Sequence, residues 1–143
     1  PYAGYQRLDR GGAVLIADTA PAPRPPLASS AHAGPCSFEF SAEGARIVVN
    51  CGAPPAHRPE LASFARVTAA HSTTRMMKAI LGDQYIGGAK RVAMTRSDEA
   101  EASVLTLEHD GWRRHGFTHR RRLSLAADGR SLAGEDGLAR TRG

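Results

Sequence analysis

The chain has 143 residues, 41% hydrophobic and 23% charged, a balance that fits one globular domain with its own core and excludes collagen-like and disordered chains. Nineteen Lys and Arg against fourteen Asp and Glu leave a net charge of +5, which favours an anionic partner: nucleic acid, acidic lipid or acidic polysaccharide. Two cysteines make a disulfide framework unnecessary and rule out a cysteine-built zinc site, and no run approaches the ~20 apolar residues that span a bilayer.

The chain opens on Pro1-Tyr2 with no charged n-region and apolar h-region, and so reads as a piece of a longer protein. Tyr2–Leu8 and Ala13–Asp18 are short apolar or alternating runs. Asp9-Arg10-Gly11-Gly12 between them is a turn signal, so a hairpin is expected. Thr19–Pro26 is rich in proline, which removes amide donors and favours an extended loop. Cys36, Phe38 and Phe40 then alternate with Ser37, Glu39 and Ser41, which puts an aromatic face inward and Glu39 outward on a half-buried strand. Glu43-Gly44 turns that strand into Arg46–Asn50, a second hairpin. Cys36 and Cys51 could pair if they faced each other across it.

Pro59–Phe64 is the one helical candidate, with Pro at its first position. Strand-like patterns resume at Ser72–Met77, Arg91–Thr95, Ser103–Glu108 and Phe117–Leu125. Turn formers stand at Gly82-Asp83, Gly87-Gly88, Asp98-Glu99, Asp110-Gly111 and Asp128-Gly129. The polar, basic Leu138–Gly143 reads as a frayed end. Many short strands with closely spaced turns predict a single all-β domain over residues 1–143, an antiparallel β-sandwich.

Along Phe117–Leu125 the alternation places Arg120 and Arg122 on one face, and His119 and Arg121 on the other with Phe117 and Leu123. One reading is a solvated strand with one buried, paired arginine. The other is a cationic surface for carboxylates, to which arginine offers a bidentate fork. Nucleic-acid binding is disfavoured, because it would want exposed aromatics among the basic residues, and aromatics make up only 6% of the chain.

Six histidines stand at 32, 57, 71, 109, 115 and 119. His32 lies in Ser30-Ala31-His32-Ala33-Gly34, ahead of Cys36-Ser37-Phe38-Glu39-Phe40; Val48-Val49-Asn50-Cys51-Gly52 follows, and then Arg66-Val67-Thr68-Ala69-Ala70-His71-Ser72-Thr73. With His109-Asp110-Gly111-Trp112 and His119-Arg120-Arg121, these pieces are similar, in order, to segments of the heparinase II/III-like family. There a His-x-His-x-Asp segment precedes a Leu-Ser-Phe-Glu-Leu strand, and Arg-x-Thr-x-x-His-Asn-Thr comes later.

That resemblance implies the C-terminal antiparallel β-sandwich of a larger protein with an α/α toroid upstream. The implied reaction is β-elimination on a uronic-acid-containing polysaccharide of glycosaminoglycan or alginate-like type. It also implies a periplasmic or cell-envelope setting and the helical domain of the same parent as partner. Carried over by position, His32, Asn50 and His71 become ligands of one zinc or other divalent ion. With a uronate polymer as substrate, the cationic-surface reading of the basic run makes Arg113, Arg120 and Arg122 substrate-binding residues. No catalytic residue is assigned. The family's tyrosine acid/base lies in the helical domain, so this piece alone is expected to be inactive. Ser30 stands where the family has its first histidine, Gly34 where it has Asp, and Asn50 where an Asp ligand is expected. These departures leave an alternative: a non-catalytic carbohydrate-binding or structural domain that has lost the lyase site.

Overall fold

The computed structural model describes residues 4–24, 27, 32, 34–74 and 89–141. Alternating apolar residues and glycine turns build two four-stranded antiparallel sheets, each a simple meander. The first comprises β1 (Tyr5–Arg10), β2 (Ala13–Asp18), β3 (Phe38–Ala42) and β4 (Ala45–Val48). The second comprises β5 (Val92–Asp98), β6 (Ala102–His109), β7 (Phe117–Ala126) and β8 (Leu132–Arg140). Between them lie a 3-10 turn at Pro59–Leu61 and the four-residue helix α1 (Ala62–Ala65), the one helical segment expected.

Both sheets contribute to one apolar core. Leu8, Leu15, Ala17, Cys36 and Phe40 of the first pack with Leu105, Leu107, Leu123 and Leu125 of the second. The period-2 pattern of β6 and β7 explains their share, since Leu105 opposes Leu123 and Ser103 opposes Leu125 in register, all facing inward. Polar groups also tie the sheets. Arg10 donates from Nε to Ser103 Oγ at 2.8 Å, and Arg96 donates to the Arg7 carbonyl at 2.9 Å.

Two expectations change, and the open question of the cysteines is answered. Leu138–Gly143 is not a frayed end as far as it is described: β8 runs to Arg140 and pairs with β7 along its whole length. Its sequence, with two glycines and the adjacent Glu135 and Asp136, lacks apolar alternation because this edge strand is exposed over most of its residues. Within the expected strand Ser72–Met77, residues 72 and 73 form bends and 74 has no regular structure, because their polar groups bond to side chains and loops rather than to a ladder; 75–77 lie outside the described residues, as do Gly82-Asp83 and Gly87-Gly88. Cys36 is buried and Cys51 exposed, and both are free thiols.

The β1–β2 turn packs directly on the β7–β8 turn, which sets the approach of the two sheets at one end. A Cβ on Gly11 would lie 2.1 Å from the Asp128 carbonyl atoms, and one on Gly129 would lie 2.4 Å from the Arg10 carbonyl oxygen. Gly44, also at positive φ, has nothing among the described residues within 4 Å of its Cβ position. Gly44→Ala should therefore cost about 1 kcal/mol of backbone strain. Gly11→Ala should cost about 2 kcal/mol more, through the clash. Equal urea midpoints for the two variants would contradict this turn-on-turn contact.

Candidate functional site

The segments singled out in the sequence do come together. His32 Nδ1 lies 2.9 Å and His71 Nε2 3.1 Å from the carbonyl oxygen of Ala65, at the end of α1. The rings meet edge to face with centroids 5.4 Å apart. A carbonyl only accepts, so both nitrogens carry hydrogen and donate to it. Burial, and then the neighbouring His32, push the His71 pKa down, while the Ala65 carbonyl works the other way.

Asn50 sits apart from this pair. Its Nδ2 donates to the Phe38 carbonyl at 3.3 Å and its Oδ1 accepts from the Ser72 amide at 2.8 Å. Ser72 Oγ bonds to the Phe38 carbonyl at 2.5 Å, and Thr73 Oγ1 donates to the Pro35 carbonyl at 2.6 Å. Asn50 thus brackets β3 against the segment that follows His71. Gly34 is a close approach as well, because a Cβ there would lie 3.0 Å from His71 Cγ and 3.2 Å from Ser37 Oγ. The aspartate of the family pattern would crowd the ring that Gly34 accommodates. Ser30 lies outside the described residues.

These donors do not fit a zinc ion well. The imidazole nitrogens that converge are committed to one carbonyl, both polar atoms of Asn50 are committed to backbone, and a carboxylate is missing where structural zinc sites want a third anionic or imidazole ligand. Among the described residues, no group of three or more His, Cys, Asp or Glu is arranged to hold a metal.

A second cluster, less visible in the sequence, lies on the inner face of the second sheet. Register places His109 opposite His119, and Arg121 opposite Asp136. The Asp136 carboxylate accepts from Arg121 Nε at 2.8 Å and Nη2 at 2.9 Å, and lies 2.7 Å from His119 Nε2. Arg121 Nη1 donates to the carbonyls of Cys36 and Ser72, and its guanidinium lies 5.5 Å from the Phe38 ring centroid. His119 Nε2 is also 2.7 Å from Thr74 Oγ1, and His119 Nδ1 is 3.0 Å from His109 Nε2. Burial drives the His109 pKa down to about 4 and lowers that of His119, while Asp136 is held below the usual carboxylate range by Arg121 and His119 against its own partial burial. The signal available in the sequence was parity: positions 109 and 119 flank one hairpin, and both fall on the inward face of their strands.

Arg120 and Arg122 occupy the opposite, outward face of β7 and are exposed, as the alternation predicts. Glu108 pairs with Arg120 and Glu135 with Arg122 in strand register. Arg113 is exposed in the 3-10 turn Arg113–His115 before β7. Arg120 and Arg122 are therefore on the face of β7 opposite to the one that reaches the His71 segment. It is Arg121 and His119, on the other face, that reach the His71 segment.

The family model described as "Heparinase II/III-like, C-terminal" matches residues 1–143. FtsZ-localized protein C of Caulobacter vibrioides (strain NA1000 / CB15N) is 35% identical over 149 residues, an overlap of 97% of this chain and 26% of that protein. The fold is similar to the crystal structure of a mutant heparan sulfate lyase, HepC, from Pedobacter heparinus. The TM-score is 0.61 at 15% identity, over 90% of this chain and 21% of that one. The chain thus spans about a quarter of the length of the curated relative it matches.

Zinc supplied in excess should be taken up at well below one equivalent per chain and leave the melting temperature unchanged, read by elemental analysis and thermal denaturation. Stoichiometric uptake with a rise in melting temperature would show that His32 and His71 turn from Ala65 to the metal.

Proposed function

This chain belongs to the heparinase II/III-like family as its C-terminal β-sandwich domain, and on that premise we propose that it serves a lyase-like parent acting on an acidic, uronate-containing polysaccharide. The observation that carries this reading is the family match along the whole chain. The net charge of +5 supports it, since it draws a polyanion toward the surface.

β-Elimination at a uronate requires three things: neutralisation of the carboxylate, removal of the weakly acidic C5 proton, and protonation of the leaving C4 oxygen. This domain's residues address the first and the holding of the polymer. Arg113, Arg120 and Arg122 are exposed forks for carboxylate or sulfate, acting as a polymer-facing surface. His32 and His71, both donating to Ala65, brace α1 and its flanking loops rather than abstract a proton. The proton-transfer groups belong to the rest of the parent, in an extracytoplasmic setting where such polymers lie.

A second reading is favoured by specific residues. Asn50 acts as a backbone bracket, a side chain at Gly34 would crowd the His71 ring, and Ser30 replaces a histidine. On this reading the parent has the lyase architecture without the chemistry, and binds polysaccharide or supports an assembly. The relative whose name places it with FtsZ, at 35% identity, fits a role of that kind.

The complete parent, incubated with glycosaminoglycan and alginate-type polymers, should generate the ultraviolet-absorbing unsaturated ends of elimination. Polymer binding without such ends would establish the second reading instead. In either case Arg113→Ala, Arg120→Ala and Arg122→Ala together should weaken binding about tenfold, or about 1.4 kcal/mol. Added salt should erase that difference, and the melting temperature should stay unchanged. Salt-insensitive binding, or none, would remove these arginines from the account.

A further inference from the structure

The proton positions of the His109–His119 pair can be deduced. The Gly111 amide can only donate, and it lies 3.1 Å from His109 Nδ1, so that nitrogen accepts. His109 therefore carries its hydrogen on Nε2 and donates to His119 Nδ1 at 3.0 Å. His119 in turn carries its hydrogen on Nε2, directed at Asp136 Oδ1 with Thr74 Oγ1 beside it, each 2.7 Å away. The result is a one-way chain, from Gly111 through His109 and His119 to Asp136, with both rings neutral and every nitrogen in use.

An added proton has two routes, and both end at the same atom. It can enter at His109 Nδ1 and displace the Gly111 amide. Or it can make an imidazolium of His119, the ring beside Asp136; His119 Nδ1 then donates, His109 Nε2 must accept, and the His109 hydrogen moves to Nδ1. Either way an N–H comes to face the Gly111 N–H. The groups around the pair are His119 and Arg121 of β7, Asp136 of β8, Asp110 after β6, and the Cys36 thiol beyond Arg121. The Asp136–Arg121 fork keeps its contacts on both routes, so Ser72 and Cys36 stay held.

Gly111 opens the turn Asp110–Gly116, which bears Arg113. That turn is closed by backbone bonds from Arg113 to Asp110 at 2.9 Å, from His115 to Trp112 at 2.8 Å and from Gly116 to Arg113 at 2.9 Å. Trp112 Nε1 within it is buried and has no hydrogen-bond partner among the described residues.

We propose that the His109–His119 pair is a one-proton switch that reads out at Gly111: proton uptake releases the Gly111 amide from His109 and loosens the start of the Asp110–Gly116 turn, while the bonds of Asp110 and Gly116 to their neighbours, the His71–Thr74 segment and the leucine core stay in place. The inference rests on the fold and stands whether or not the parent cleaves a polymer. Its direction follows from burial. Both rings have depressed pKa values, so the Gly111–His109 bond is complete above the ordinary histidine range and is lost as pH falls toward about 4.

Nitrogen-15 NMR on the chain tests it without a variant. At pH 7 both His109 and His119 should be neutral Nε2–H tautomers. Through the acid transition of the pair, the hydrogen-exchange protection of Gly111 should fall at least tenfold while Leu107, Leu123 and Ser72 keep theirs. His109→Gln, which keeps an acceptor and a donor but does not titrate in this range, should hold Gly111 protected throughout. A hydrogen on His109 Nδ1 at pH 7 would overturn the switch. So would unchanged Gly111 protection, or simultaneous loss across the core.

Discussion

Arg121 is the residue on which the arrangement of this domain depends. A guanidinium 6% exposed is costly unless each of its donors is matched, and here the matching partners come from three separate places. Asp136 on the neighbouring strand takes the fork, and the carbonyls of Cys36 and Ser72 take the remaining nitrogen. Cys36 leads into β3, and Ser72 follows His71. Satisfying one buried charge thus gathers two of the segments that carry the family resemblance onto the inner face of the second sheet.

This division of labour along β7 was legible in the alternation, which separates Arg120 and Arg122 from His119 and Arg121. The first hairpin and the helical turn at Pro59 were legible too, because turn glycines and an N-terminal proline act locally. What was hidden depends on distant partners. The strand Leu132–Arg140 has no apolar alternation, since its place comes from pairing with β7 and from the charge that Asp136 supplies to Arg121. Ser72–Thr74 reads as strand by composition, yet its groups go to Asn50, Phe38, Pro35, Arg121 and His119. Asn50 occupies the position of an acidic ligand, but its amide acts through a residue 22 positions away. No local pattern reveals that.

The two histidine pairs therefore differ in kind. His32 and His71 converge on one carbonyl and brace α1, which ties the family motif to architecture in this chain. His109 and His119 form a directed chain that ends on a carboxylate, an arrangement sensitive to a single proton. Arg120 and Arg122 face outward from β7, and Arg113 sits in the turn whose Gly111 amide is bonded to His109.

The central physical claim is that the Arg121–Asp136 pair joins the histidine segments to the second sheet, and a double-mutant cycle on folding stability tests it most directly. Arg121→Met and Asp136→Asn, singly and together, should give a coupling of about 1 kcal/mol or more, because Asp136→Asn leaves the buried Arg121 charge unmatched, while Arg121→Met leaves a carboxylate that is 42% exposed and can turn to solvent. Additive effects within about 0.5 kcal/mol would contradict the account, and would mean that the segments carrying His32 and His71 are held by something other than this pair.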